Sequence, residues 1–294
     1  MRFFKPYLQL ARPHQYFKNA FVWLPLFFGY KLLDSQAIWL TFWTFLAFCL
    51  AASSVYVFND LKDISEDRQH PVKSCRPLAS GAIKPSQAVI FLAILLLLAL
   101  ALVAAFLPPL IFLIMGAYLV LNTVYSLFLK HLAIIDVFCI ALGFVLRIFA
   151  GGLAAKVPVS HWLVIMTFLL ALFLALAKRR DDLLLLAEGH NTRKSLDGYS
   201  LEFIQTSMAI MAAVIIVSYI LYTVSPETIS KHGTDQLYLT SFWVIVGLLR
   251  YLQITLVEGR SGSPTEILIK DHLLQAIIVL WLLCFFLPFY VFIP

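Results

Sequence analysis

The chain has 294 residues, 62% of them hydrophobic and only 13% charged. Soluble domains carry about a quarter charged residues, and a soluble fold of this size cannot hide so much apolar surface, so the bilayer must act as solvent for much of the chain. A net charge of +6 then reads as the basic face of a membrane protein and a means of holding phosphate, and not as a nucleic-acid surface. Cys49, Cys75, Cys139 and Cys284 stand far apart and form no CxxC pair, which argues against disulfides and against a metal knuckle.

The expected architecture is an all-α integral membrane protein, one polytopic domain over residues 1–294. Residues 1–18 mix Phe, Tyr, Leu, Arg and Lys without the apolar run and cleavage site of a signal peptide, and read as a segment lying in the interface. A spanning helix needs about 20 mostly apolar residues. The first candidate, Asn19–Leu33, is short and holds Pro25. Ser35–Asn59 is free of charge. Ser86–Leu129 is long enough for two helices, with Pro108-Pro109 as the break. Then come Ala133–Ala155, Val157–Ala177, Phe203–Pro226, Gln236–Val257 and Leu273–Pro294, which makes about nine spans. With nine, 17 of the 22 Lys and Arg fall on one side and only Lys31, Lys156 and Lys231 on the other. This predicts a plasma-membrane protein with a cytoplasmic N-terminus and a functional face toward the cytoplasm. The two longest cytoplasmic loops, 59–85 and 178–200, each follow the second helix of a four-helix set, an architectural sign of internal duplication.

Chemistry concentrates where the second span ends. If its helix continues, Asn59, Asp63 and Asp67 stand at i, i+4 and i+8 on one face with Asp60 beside them. Like charges on one face repel and call for a cation. Oxygen donors without His or Cys suit Mg²⁺, which takes a few carboxylates and completes its shell with water and phosphate. A solvated helix end neutralised by Lys62 and Arg68 is the plainer explanation, but ionisable groups at a membrane boundary are costly and usually functional. Downstream, two prolines and Gly81 make 70–81 a turn-rich loop that brings Lys73 and Arg76 near the acids. Carboxylates and a metal beside Lys and Arg can grip a diphosphate from both sides.

The run Asn59-Asp60…Asp63…Asp67 resembles the NDxxDxxxD signature of the UbiA superfamily of membrane prenyltransferases. The longer stretch NDLKDISEDRQHPVKSCRPLASG is most similar to its decaprenyl-phosphate phosphoribosyltransferase branch. So are RPHQYFKNAFVWLPLFFG, Tyr125–Gly152 and Ala177–Ser200. The resemblance implies a UbiA-like bundle of about nine helices and transfer of 5-phosphoribose from 5-phosphoribosyl 1-diphosphate (PRPP) to a polyprenyl phosphate with Mg²⁺. Asn59, Asp63 and Asp67 would act at the metal and in catalysis, with Asp60 as a further metal residue. The second DxxxD of quinone-type enzymes is replaced here by Lys178-Arg179-Arg180-Asp181-Asp182, with no acid four residues beyond either aspartate, which argues against a second metal and is too basic for a purely metal-binding role.

PRPP and a lipid phosphate need many cationic partners. Lys178, Arg179, Arg193 and Lys194, with Asp182, frame the second loop, and Arg180, Asp181 and Asp182 are expected to pair at the surface. Lys18, Arg68, Lys73 and Arg76 join the substrate-binding set. So do Tyr125, Lys130 and Asp136 around the turn between the fourth and fifth spans. Arg147, deep in a span, is expected to face inward, while Arg250 reads as structural. Two other functions fit the same face: an aromatic polyprenyltransferase using a polyprenyl diphosphate, and a transporter of anionic lipids or metabolites. The missing second DxxxD counts against the first, and the concentration of charge on the cytoplasmic face, with little polarity on the outer side, against the second.

Overall fold

A computed structural model of the chain describes residues 4–69, 73–187, 194–259 and 264–290, and every regular element among them is helical. Among the described residues seven helices are long and apolar enough to cross a membrane. The residues divide into two compact units, Met1–Val159 with Leu185–Ser195, and Ser160–Leu184 with Leu196–Pro294.

In the first unit, α1 (Lys5–Ala11) ends on Arg12 in the left-handed region (φ 53°), and a 3₁₀ helix runs from Pro13 to Trp23 into α2 (Leu24–Phe28). The expected span Asn19–Leu33 therefore begins earlier and ends sooner than its apolar run suggests. A 3₁₀ helix rises about 2.0 Å per residue against 1.5 Å for an α-helix, so these sixteen residues reach roughly 30 Å, the thickness of the hydrocarbon core. α3 (Ser35–Lys62) is capped by Asp34, whose Oδ1 accepts from the amides of Gln36 and Ala37 at 3.1 Å each. α4 (Ile64–Gln69) resumes after a single non-helical residue. α5 (Pro85–Phe106) and α6 (Leu110–Leu127) flank Pro108-Pro109 as expected, and Leu107 is extended, as a residue before proline must be. α7 (Ile135–Ala155) completes this unit's long helices.

The core of this unit lies along α3, where Ala47, Phe48, Ala51 and Ala52 meet Val103, Met115, Tyr118 and Ala150. Small residues there let neighbouring helices approach closely. The closest approach is at Gly151, where an added Cβ would overlap the carbonyl oxygen of Val22. Gly→Ala ordinarily stabilises a helix. Gly151→Ala should instead destabilise by about 1–3 kcal/mol, because the 3₁₀ backbone has nowhere to go. Thermal unfolding in detergent reads this directly.

α8 (His161–Ala187), which lies in the second unit as far as Leu184, runs ten residues past the expected end at Ala177. Nothing in Lys178–Ala187 breaks a helix, and Leu183–Leu186 keep it apolar, so the charges expected in a loop ride on helical turns. α9 (Leu201–Val224) starts at a Ser200 cap, and α10 (Pro226–His232) ends at Gly233 (φ 65°). A 3₁₀ turn leads into α11 (Ser241–Leu252), which passes into a π-helical turn, Gln253–Val257. α12 (Pro264–Lys270) and α13 (His272–Tyr290) follow. The apolar part of α13 among the described residues, His272–Phe285, is too short to count with the seven, and the 13–28 run is not among them. Arg250 is structural, as expected: it ties α11 to Glu258 (2.6 Å), Gln253 (2.8 Å) and Asp271 (2.6 Å).

His232, buried between the seventh and eighth expected spans, shares a 3.1 Å hydrogen bond with the Tyr222 hydroxyl. Burial pushes its pKa down to about 4. The unfolded chain therefore binds more protons than the folded one between about pH 4 and 6.5, and stability must fall as the pH drops through that window. The unfolding midpoint should be lower at pH 5 than at pH 7.5, and His232→Asn should flatten the difference.

Candidate active site

The acid motif lies where α3 leaves the core. Asp63 is the single break between α3 and α4 (φ −96°, ψ 10°), yet its N–H still donates to Asn59 O (2.9 Å) and its carbonyl accepts from Asp67 N (2.8 Å). The i to i+4 spacing thus survives, and Asn59, Asp63 and Asp67 follow one another along one side. Asp60 and Asp67 are 2% and 4% exposed.

Each aspartate meets a cation from another part of the chain. Asp60 Oδ1 accepts from Arg12 Nη2 and from Arg76 Nη1 (3.1 Å), and the same Arg76 nitrogen donates to Asp67 Oδ2 (2.7 Å). Lys130 Nζ donates to Asp63 Oδ1 at 2.6 Å. Arg76 is delivered by the expected turn-rich loop, in which Arg76 N bonds Lys73 O and Ile83 N bonds Pro77 O. Gly81 takes the left-handed φ of 80° there, which costs glycine nothing. Arg68 is exposed and spends its Nε on Ala79 O (3.2 Å), bracing the same loop. Lys73 is half-buried in the 3₁₀ turn Lys73–Cys75.

Lys130 sits in the turn Leu129–His131, nine-tenths buried. Tyr125 is half-buried at the end of α6. Asp136 is fully buried in the first turn of α7 and accepts from Val137 N (2.8 Å). Arg147 faces inward, as expected. Its Nε donates to Asn19 Oδ1 (2.7 Å), Nη1 to Gly143 O (2.7 Å) and Nη2 to the Tyr118 hydroxyl (3.0 Å). Its guanidinium also lies 4.8 Å from the Tyr118 ring centre, an attraction strengthened away from water. Lys18 is half-buried on the 3₁₀ helix one residue before Asn19.

In the second unit, Arg179 Nη1 donates to Asp182 Oδ2 (2.6 Å), one turn along α8. Arg179 and Arg180 are buried because the helix continues and carries them inward, which for Arg180 corrects the expectation that it pairs with Asp181 and Asp182 at the surface. Arg193 lies outside the described residues. Lys194 opens the turn Lys194–Gly198.

Sequence reasoning misses Arg12 and Asn19. Arg12 counts there only toward the charge on one face, although it opens the RPHQYFKN block that carries part of the resemblance. Asn19, a buried polar residue at the head of an apolar run, is the available sign of a partner inside.

Oxygen-only donors on one helical side fit a hard divalent cation, and Asp60 and Asp67 already share a single cationic nitrogen. Among the described residues no three His, Cys, Asp or Glu side chains are grouped so as to hold a metal by themselves.

A helical membrane protein with interleaved carboxylates and cations at a helix end is the class that fold and site define. The chain belongs to the UbiA prenyltransferase family, whose pattern matches residues 22–254, and it is a membrane transferase. It is 33% identical over 245 residues to the decaprenyl-phosphate phosphoribosyltransferase of Mycolicibacterium smegmatis, covering 81% of this chain and 76% of that protein. Its identity to the Corynebacterium glutamicum protein of the same name is 30% over 295 residues, 97% of this chain and 86% of the other. Its fold is similar to that of a UbiA homolog from Archaeoglobus fulgidus solved with GPP and Mg²⁺ (TM-score 0.72, 23% identity, 97% of this chain and 100% of that one).

Proposed function

We propose that this protein transfers 5-phosphoribose from PRPP to a polyprenyl phosphate of the decaprenyl type, releasing diphosphate. The observation that carries this reading is that three aspartates on one helix end each meet a cation from a different segment: Arg12, Arg76 and Lys130. A reaction joining two phosphate-bearing substrates needs such a mixture, and the names of the two bacterial relatives support it.

Asn59, Asp63 and Asp67 would hold Mg²⁺, with Asp60 behind them. When bound, the ion supplies neutralisation of the charge growing on the leaving diphosphate. Arg76 and Lys130, already beside the acids, are placed to turn from carboxylate to phosphate oxygens, with Lys73 and Arg68 at the rim. Lys18, half-buried, and Arg147, buried, supply positive charge for a second phosphate, while Tyr125 and Asp136 can hydrogen-bond sugar hydroxyls. Lys178, Arg179, Asp182, Arg193 and Lys194 form a separate set of substrate-binding candidates. An oxygen of the lipid phosphate attacks the anomeric carbon as the bond to diphosphate breaks. That oxygen is already anionic, so these residues mainly position two repelling anions. The topology in this reading is nine spans in the plasma membrane, N-terminus and acid motif cytoplasmic, following the Lys and Arg bias.

The test uses purified protein in detergent with Mg²⁺, PRPP and a polyprenyl phosphate. A lipid heavier by one phosphoribosyl unit, formed only with metal, is expected. Prenylation of an aromatic acid from a polyprenyl diphosphate instead would overturn the reading.

A further inference from the structure

Asp60 stands at the centre of the acid motif, and its partners do not balance one to one. A buried carboxylate brings one negative charge, whereas Arg12 and Arg76 bring two positive ones to the same Oδ1. Asp67, 2.7 Å from the shared Arg76 nitrogen, takes up the surplus. The ion pairs therefore run Arg12, Asp60, Arg76, Asp67, alternating in sign and neutral as a set.

Arg12 is held in place by several independent contacts. It adopts the left-handed conformation (φ 53°, ψ 58°), which is costly for a residue with a Cβ. Its N–H closes α1 on Leu8 O (3.1 Å), and Pro13 starts the next helix immediately. The residues around it are seated on one face of α3. Ser53 Oγ donates to Ala11 O (2.8 Å) and meets the Tyr16 hydroxyl at 3.0 Å, and the Arg12 guanidinium lies 5.3 Å from the Tyr56 ring centre. Ser53, Tyr56 and Asp60 are spaced i, i+3 and i+7, the positions that share a helical face. A cation present only to mark the cytoplasmic side would need none of these tethers.

We propose that Arg12 is a positioning residue for the acid motif: by engaging Asp60 from the N-terminal side, it sets how far Asp60 draws Arg76 and so where the Asp67 carboxylate stands. The proposal rests on the proposed function only for the ligand, a diphosphate. Without Arg12, Asp60 turns wholly to Arg76, and Asp67 loses its share of that cation. Lysine keeps the charge but not the planar group that pairs with Asp60 while lying over Tyr56.

The experiment measures binding of radiolabelled inorganic diphosphate with Mg²⁺ by equilibrium dialysis of the full chain in detergent. Wild type is compared with Arg12→Gln, Arg12→Lys, Asp60→Asn and the double variant Arg12→Gln/Asp60→Asn. Arg12→Gln should weaken binding about tenfold, Arg12→Lys should recover part of that, and the double variant should bind within about twofold of Asp60→Asn alone, since Arg12 then has nothing to act through. Equal losses with and without Asp60, or wild-type binding by Arg12→Gln, would overturn the proposal. Where Arg12→Gln does not fold, the cycle with Arg12→Lys carries the same comparison. A wild type that binds no diphosphate overturns both this role and the proposed function. One that binds diphosphate yet makes no phosphoribosyl lipid overturns the reaction alone, and the cycle still decides Arg12.

Discussion

Asp63→Asn and Asp67→Asn should each lower turnover by about 10²–10³-fold, the scale of losing one preorganised electrostatic group at a reacting centre, while the protein remains folded. The amide is nearly isosteric and keeps a carbonyl oxygen. At position 63 that oxygen can still accept from Lys130, which now meets Asp63 at 2.6 Å, and at position 67 it can still accept from Arg76. What disappears is the negative charge that a divalent cation requires. Phosphoribosyl lipid should fall to background with an unchanged gel-filtration profile. Full activity in both variants would remove the metal role from this helix end.

Arg76→Gln should have the largest effect on stability. Asp67 is 4% exposed and receives its charge partner from Arg76. Deleting one member of a buried pair leaves an uncompensated charge, at a cost of about 3 kcal/mol given the partial exposure of the arginine. One pair of variants tests the sign. Arg76→Gln should unfold at a clearly lower temperature in detergent, and adding Asp67→Asn should recover much of the loss by removing the stranded charge. If Arg76 serves substrate alone, the single variant keeps wild-type stability and the second substitution restores nothing.

The parts of the fold legible in the sequence follow simple rules. Charge-free runs mark α3, α5, α6 and α9 nearly to their ends, an apolar run interrupted only by Asp136 and Arg147 marks α7, and the Pro108-Pro109 break divides α5 from α6. The helical spacing of the acid motif is legible because Asn59, Asp63 and Asp67 follow at i, i+4 and i+8, and that spacing survives the break at Asp63. The inward orientation of Arg147 follows from the cost of a lipid-facing charge.

The rest is hidden for physical reasons. Periodicity does not separate a 3₁₀ helix from a short α-helix over eleven residues. Nor does it show which cation a carboxylate will choose when Lys62, Arg68 and Arg76 all lie nearby in sequence; Arg12 and Lys130, the partners of Asp60 and Asp63, come from 48 and 67 residues away. The extension of α8 past Ala177 is masked by its own charges, which look like a loop until burial of Arg179 and Arg180 shows otherwise.

The helix from Pro13 to Trp23 has a further consequence. With three residues per turn its side chains fall into straight files, and one file is Tyr16, Asn19, Val22. Tyr16 meets Ser53, Asn19 meets both Cys49 and Arg147, and the backbone of Val22 lies against Gly151. The segment is therefore a tongue with one toothed edge, slotted between α3 and α7. An α-helical tongue would turn that edge away by about 60° every three residues and would carry the Tyr16 and Asn19 side chains off a common line.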